Sequence, residues 1–523
     1  MSAPSEHRVA VVGAGVGGLV CALLLAARGL RVTVLESQGG PGGKMRQSVV
    51  GGQAIDAGPT VFTMRWVLEQ IFERAGASLS DHLRLQPLDV LARHAWSADE
   101  CLDLLADVAR SADAIGRFSG AAEAQRFLAF CEQARKLYDT LEGPYIRSQR
   151  PTLPQMARDL GPRGLAVLAG LGPFATLAQR LSRQFDDPRL RQLFGRYATY
   201  CGASPWAAPA TLMLVAQVEL DGVWAVQGGM HAVARALEQL AVRRGALVRY
   251  DTTVERIEVR DGRACGVRLA SGEVLAADSV VFNGDSAALA DGLLGDAASR
   301  AVRASPRSAR SLSAVTWALR ARTRGFPLVR HNVFFDTDYK SEFDDVFRQR
   351  RLPRRGTVYV CAQDRNDTAA PIDAAERLLC LVNAPPDGDG GPIDPGELER
   401  CETNSFALLA RCGLEVDRSA APTVRTTPTD FHLRYPATGG ALYGAASHGW
   451  MALFRRSGSA SGLPGLYLAG GSVHPGPGVP MAAMSGQLAA ATLMAHLDST
   501  SRSRRVVIAG GMSTRSATMA PTG

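Results

Sequence analysis

The sequence predicts an α/β protein built on a parallel sheet, and three local patterns carry that prediction. A short β-branched run at 8–12 (RVAVV) is interrupted by Gly13-Ala14-Gly15-Val16-Gly17-Gly18. A stretch of helical length, 19–29 (LVCALLLAARG), follows and ends on Gly29, a suitable C-cap. A second apolar run at 31–35 (RVTVL) then ends at Glu36. Strand, glycine turn, helix and strand in this order open a Rossmann-like parallel sheet.

The turn has the chemistry of a dinucleotide site. Gly13 permits the tight exit from the strand, Gly15 lets backbone approach a pyrophosphate, and Gly18 allows close helix–strand packing. Phosphates would meet the N–H groups of the helix beginning near Val16 and Gly17. Glu36 can accept both ribose hydroxyls of an adenosine and disfavours a 2′-phosphate. A lone GxGxxG is weak, but here strand, helix and acid all stand in place.

ADP is common to NAD and FAD, and two further segments choose FAD. Gly39-Gly40-Pro41-Gly42-Gly43-Lys44-Met45-Arg46 can track the extended part of a longer cofactor. Lys44 and Arg46 either meet its phosphates or flavin or are ordinary loop charges. Near the C-terminus, LYLAGGSVHPGPGVP (466–480) runs from strand through a glycine turn containing Gly470, Gly471 and Gly478 into a helix expected to end near His496. Pro480 suits its first turn. That helix N-terminus would stabilise negative charge on a reduced flavin. His474 reads as a loop residue shaping the pocket rather than an acid or base.

Elsewhere, 64–220 looks largely helical, the Asp261-Gly262 and Ser271-Gly272 pairs signal hairpins, and 310–440 mixes strands with loops. The expected division is 1–79, 222–300 and 440–498 for a discontinuous FAD-binding domain, with 80–221 and 301–439 forming an interleaved α+β substrate domain that includes a helical membrane-facing region. Residues 499–523, rich in Ser, Thr, Gly and Arg, are expected to be a disordered, dispensable tail.

Composition narrows the function classes. The chain has 523 residues, 46% of them hydrophobic, and a net charge of +8 carried almost wholly by Arg, since Lys44, Lys136 and Lys340 are the lysines. The basic residues are scattered and not interleaved with aromatics, which argues against a nucleic-acid groove and leaves an anionic membrane surface open. Nine cysteines without a C-x-x-C pair suggest free thiols and no metal site. MSAPSEHR leaves no room for a signal peptide before the first strand, and no apolar run is long enough to span a bilayer. Nothing in the sequence sets the oligomeric state.

The N-terminal GAGVGGLVCALLLAARGLRVTVLE with GGPGGK, and the C-terminal LYLAGGSVHPGPGVPMAAMSGQ, together resemble the carotenoid (phytoene-type) desaturase group of flavoproteins, relatives of the amine oxidases. The resemblance covers roughly residues 8–497. It implies a strand on the adenosine around Val254, within WAVQGGMHAVARALEQLAVRRGALVRYDTTVERIEV, and implies cofactor contacts at Asn283, Asp285 and Val479. HNVFFDTDYKSEFDDVF is a further shared run. Within the group, DAGPTVFTMRWVLEQIF (56–72), YCGASPWAAPATLMLVAQVELDGVW (200–224), VYVCAQDR (358–365) and LLCLVNAPPDGD (378–389) are most similar to 1-hydroxycarotenoid 3,4-desaturases of purple photosynthetic bacteria.

The resemblance implies an acyclic carotenoid substrate in which CH2–CH2 becomes CH=CH. Hydride leaves an allylic carbon, the polyene spreads the developing positive charge, and a proton leaves the neighbouring carbon. The protein aligns the chain and excludes water. No catalytic base is named: Tyr197, Tyr200, Cys201 and His231 lie in segments expected near substrate, each as readily core. Other carotenoid flavoenzymes (phytoene desaturase, isomerase or oxidase) share the motifs, a non-catalytic flavin-containing carotenoid carrier would too, and an amine oxidase would need an aromatic cage that HPGPG does not supply. The location implied is cytoplasmic, peripheral on the inner membrane, with contact through residues such as Phe174, Leu177 and Leu181, any one of which is at least as readily core of a helical subdomain.

Overall fold

The structure is a computed structural model that describes residues 6–509 except 173, 367–371, 373 and 420. Its organising element is a five-stranded sheet in the order Leu466–Leu468, Ser279–Phe282, Arg8–Val12, Arg31–Leu35, Leu247–Arg249. Every pairing in it is parallel. Arg8–Val12 lies at its centre, Val11 facing Val281 on one side and Val34 on the other, so the run must be apolar on both faces.

The helix Val16–Ala27 is buried at ten of its twelve residues, as a helix covered on all sides must be. The helices His231–Arg243 and Val479–Ala509 pack against it. Closest approach falls at two glycines: a Cβ on Gly486 would lie 2.1 Å from the Gly17 carbonyl oxygen. The hairpin expected at Asp261-Gly262 forms, joining Val254–Arg260 to Arg263–Leu269, both turn residues having positive φ (51° and 71°).

A second sheet has seven strands, ordered Thr423–Thr426, Ser313–Ala321, Glu376–Ala384, Val358–Ala362, His331–Phe334, Val90–Ala95, Cys101–Leu105. The last two are strands inside 64–220, a stretch that is otherwise largely helical, as expected. VLARHA and CLDLL are too short for a stable helix; they pair with each other, and Val90–Ala95 finds its other partner some 240 residues later, in parallel with His331–Phe334. The hairpin Gln47–Val50 and Gln53–Asp56 leans on this sheet, Val50 and Ile55 packing with Ala318, Cys361 and Leu379.

Two expectations change. Leu177 and Leu181, offered as membrane contacts, are 0% and 1% exposed because they form the inner face of the short helix Leu177–Gln184; Phe174, 74% exposed, does face outward. The final helix continues through the start of the expected tail to Ala509, since no Gly or Pro interrupts 487–509; residues 510–523 lie outside the described residues. Among the described residues no helix is long and apolar enough to cross a membrane.

Candidate cofactor and substrate cavity

One cavity of about 1060 Å³ runs from the mouth of the parallel sheet to the second sheet. The cofactor residues singled out above line it, apart from Gly18 and part of the Gly39–Arg46 loop. Gly18 lies beneath: a Cβ there would sit 2.2 Å from the Gly13 carbonyl oxygen, so its role is packing. Gly13 has φ +98° and donates its N–H to Leu35 O at 2.8 Å, turning the chain sharply out of the strand. The helix that follows has no side-chain cap and no acid in its first turn, which leaves its N–H groups for an anion.

Glu36, 6% exposed, is fixed by N–H donors: Ala14 at 2.7 Å on Oε2 and Gln38 at 2.9 Å on Oε1. A carboxylate has about four acceptor sites, so acceptors remain for a ribose. Asn283 donates from Nδ2 to the Gly13 carbonyl at 3.2 Å. Asp285 accepts the Ala287 N–H on Oδ1 at 3.0 Å. The other oxygens of these two side chains, Asn283 Oδ1 and Asp285 Oδ2, are buried without a protein partner at the cavity wall. Buried polar atoms are rarely left unpaired, and polar groups of a dinucleotide would satisfy both.

The glycine loop contributes only its second half. Gly42 and Gly43 line the cavity, Gly43 with φ +58° and within 3.2 Å of Gly15 Cα at its would-be Cβ, whereas Gly39 and Gly40 do not. Lys44 reaches the wall and donates from Nζ to Leu442 O at 2.6 Å, with burial pulling its pKa down against the raising effect of Asp285. Arg46 turns away from the cofactor, donating to Ser48 Oγ at 3.0 Å and Thr426 Oγ1 at 3.1 Å. At the C-terminal turn, Gly470 has φ +112° and donates to Ser485 Oγ at 2.7 Å, and Gly478 with φ +105° opens the last helix.

His474 is 1% exposed and donates from Nε2 to Ser148 O at 3.0 Å, its ring edge-on to Tyr145. Burial lowers its pKa to about 4, so it is a neutral brace behind the turn. His231 is not beside the substrate; its Nε2 donates to Pro41 O at 3.0 Å in the glycine loop. Tyr197 is 2% exposed and absent from the cavity wall, whereas Tyr200 and Cys201 line it. Burial pushes the Cys201 thiol up to about 11.

Two features had no part in the motif reading. Arg456 lines the cavity and braces the flavin-side turn, donating to Tyr443 O at 3.1 Å, Gly471 O at 3.2 Å and Ala445 O at 2.8 Å; RRSGSASG around it carries no signal. Glu219 and Arg196 form a buried ion pair at 3.2 Å on the wall. Tyr197 donates to Glu219 Oε2 at 2.8 Å and Tyr200 to Oε1 at 2.6 Å. Burial disfavours the guanidinium charge, but Glu219 and the two tyrosines outweigh it and hold the Arg196 pKa up. A lone acid in the apolar run LMLVAQVEL is the signal that could have found it.

The remaining wall is greasy. Leu212, Leu214, Val215, Val218, Val333 and Leu381 surround a space continuous with the dinucleotide end. The cavity has room for a long apolar molecule beside an extended, phosphate-bearing cofactor.

Comparison with known proteins agrees. The chain is 69% identical over 513 residues, 98% of each chain, to a hydroxyneurosporene desaturase of Rubrivivax gelatinosus. It is 45% identical to one of Cereibacter sphaeroides, covering 95% of this chain and 99% of the relative. A 4,4′-diapolycopene oxygenase of Methylomonas is 32% identical, with 95% and 100% covered. Putrescine oxidase shares the fold (TM-score 0.59, 17% identity, 94% of this chain and 100% of that one), as does cyclohexylamine oxidase of Brevibacterium oxydans (TM-score 0.56, 18% identity, 94% and 100%). Residues 16–494 match the family described as flavin containing amine oxidoreductase, and the chain belongs to that family.

Proposed function

We propose that this flavin-dependent oxidoreductase introduces a carbon–carbon double bond into an acyclic carotenoid, specifically the 3,4 bond of a 1-hydroxyneurosporene-type substrate. The observation that carries the reading is the single cavity whose dinucleotide end continues into an apolar hold for a long chain, in a protein 69% identical to a hydroxyneurosporene desaturase. Bound FAD would supply the two-electron acceptor that an unactivated CH2–CH2 pair requires. Segments 1–79, 222–300 and 440–498 would hold it, through Gly13, Gly15, Val16, Gly17, Glu36, Asn283 and Asp285 at the dinucleotide. Lys44, Gly470, Gly471, Gly478 and Val479 would hold the flavin side, with Val254 against the adenosine.

The chain's own contribution is positional. Leu212, Val215 and Val218 press the polyene into one orientation and keep water from the carbons where positive charge develops. Arg456 fixes the Gly471 turn, and the Gly478 exit aims the last helix's N–H groups toward the same end. No side chain is required as an acid to start the reaction.

The test is expression in cells that make neurosporene, with and without the hydratase that adds the 1-hydroxyl. A red-shifted pigment extended by one conjugated bond is expected only with the hydratase. Desaturation of phytoene with hydroxylated neurosporene untouched would refute the substrate, and flavin binding without any carotenoid conversion would favour a carrier.

Delivery of a water-insoluble substrate supports a peripheral position on the cytoplasmic face of an anionic inner membrane. Phe174 and Trp450, 74% and 48% exposed, present two apolar rings together at 5.7 Å. Flotation with anionic liposomes should fail for the double variant Phe174→Ser, Trp450→Ser; equal flotation would place the contact elsewhere.

A further inference from the structure

Most hydroxyls on the substrate side of the cavity are already paired. Tyr200 donates to Glu219 and accepts from Arg196, and Thr60, Tyr359 and His331 Nδ1 form a chain with links of 2.7 Å. Among the described residues, two on this wall, Tyr339 and Thr211, carry hydroxyl oxygens closed to solvent that meet no partner.

Tyr339 is the better held of the two. Its ring packs with Trp206 at 5.5 Å, Phe343 at 5.1 Å and Phe335 at 6.1 Å. Its Cε1 lies 3.1 Å from where a Cβ on Gly195 would stand, immediately before Arg196. With two torsions and both sides boxed in, the phenol cannot swing away to find another partner. The Thr211 hydroxyl, on a short helical turn, can rotate toward its own backbone. Burial raises the Tyr339 pKa well above its ordinary value, so the group is a donor at any working pH.

Its position also suits the chemistry. In a 3,4-desaturation the oxygen-bearing carbon is two bonds from the nearer reacting carbon, so whatever pairs with that oxygen must stand at the cofactor side. Tyr339 and Tyr443 pack on the same small cluster of Leu312, Phe343 and Val346. Tyr443 follows Leu442, whose carbonyl receives Lys44, and its own carbonyl receives Arg456.

We propose that the Tyr339 hydroxyl donates a hydrogen bond to the oxygen on the substrate's end group, and that this contact, which rests on the desaturase reading above, selects hydroxylated over unhydroxylated carotenoids. An analogue lacking the oxygen leaves a buried donor unpaired, the arrangement that discriminates most strongly in binding sites. Arg196, Glu219 and Tyr200 form the rigid polar floor beside it.

The experiment uses flavin-loaded full-length enzyme in liposomes, given neurosporene and 1-hydroxyneurosporene in competition, with products separated by chromatography. Tyr339→Phe should retain flavin and lower the preference for the hydroxylated substrate about ten- to a hundredfold. Thr211→Val should keep the preference. A preference unchanged in Tyr339→Phe, or abolished by Thr211→Val instead, overturns the proposal alone. A wild-type enzyme that turns over both equally also overturns the proposal alone, whereas one that turns over neither overturns the desaturase reading with it. Should Tyr339→Phe lose flavin, the methyl ether of the substrate decides on wild type. An ether oxygen accepts but cannot donate, so a preference kept for the ether supports the assignment and one lost on methylation overturns it.

Discussion

Alanine placed in turn at Gly40, Gly15, Gly17 and Gly18 should produce a graded loss of flavin and stability that follows what each new methyl meets. At Gly40 nothing lies within 4 Å, and the change should stay within about 0.5 kcal/mol. At Gly15 the methyl would come within 2.8 Å of Asn283 Nδ2, a side-chain end that can move aside at the expense of its bond to Gly13 O, about 1 kcal/mol. At Gly17 it meets Asn283 Oδ1 at 2.7 Å, Gly470 N at 2.8 Å and Ala482 O at 3.0 Å. Two of these are backbone atoms of the C-terminal segment that packs on this turn, so the clamp itself must open, at about 1–3 kcal/mol. At Gly18 the Gly13 carbonyl at 2.2 Å leaves no arrangement that keeps the turn, and the loss should exceed that range. The assay is flavin retained per mole of protein after gel filtration, beside urea unfolding of the same samples. Gly18→Ala behaving like Gly40→Ala, or Gly17→Ala no worse than Gly15→Ala, would refute this account of the motif.

Other outcomes follow from the same structure. Glu36→Gln keeps the shape but loses the charge that anchors Ala14 and Gln38, and should raise the FAD dissociation constant about ten- to a hundredfold; Glu36→Arg, which buries the wrong sign, should lose flavin entirely, and wild-type flavin content in both would sink the ribose assignment. Burial lowers the pKa of His331 to about 3 and of His474 to about 4, from ordinary values near 6.5. Because these folded values are depressed, the neutral rings favour the native state fully above pH 6.5, and that contribution is lost as pH falls toward 4 and 3. Each accounts for about 2 kcal/mol at pH 5; stability flat between pH 7 and pH 5 in urea titrations would contradict it.

What the sequence made legible was local. RVAVV, the glycine turn, Glu36 and the C-terminal GGSVHPGPG all act through their own backbone, so spacing alone places them, and the cavity collects them as neighbours. Gly15 shows where such reading thins. Its motif position suggests room for a pyrophosphate, yet the nearest atom to its missing Cβ belongs to Asn283, 268 residues away. The strand Val90–Ala95 was hidden for the same reason on one side: His331–Phe334 pairs with it from some 240 residues away, and no window of the chain contains both, although its other partner, Cys101–Leu105, follows close behind.

Leu177, Leu181 and Glu219 show how burial decides between readings that the sequence leaves open. Leu177 and Leu181 are four residues apart, the spacing of one helix face, and such a pair points to a core at least as readily as to a bilayer. Glu219 is the converse case. A carboxylate at the end of LMLVAQVEL cannot be buried alone, because an unpaired buried charge is far too costly, so its presence demands cationic and hydroxyl partners at the same depth. Arg196, Tyr197 and Tyr200 lie 19–23 residues upstream, spaced so that one short helical turn delivers all three to the acid. A polar knot fixed this firmly beside a greasy cavity orients whatever polar group enters with the substrate, while the unpaired Tyr339 hydroxyl next to it stays free to bind that group.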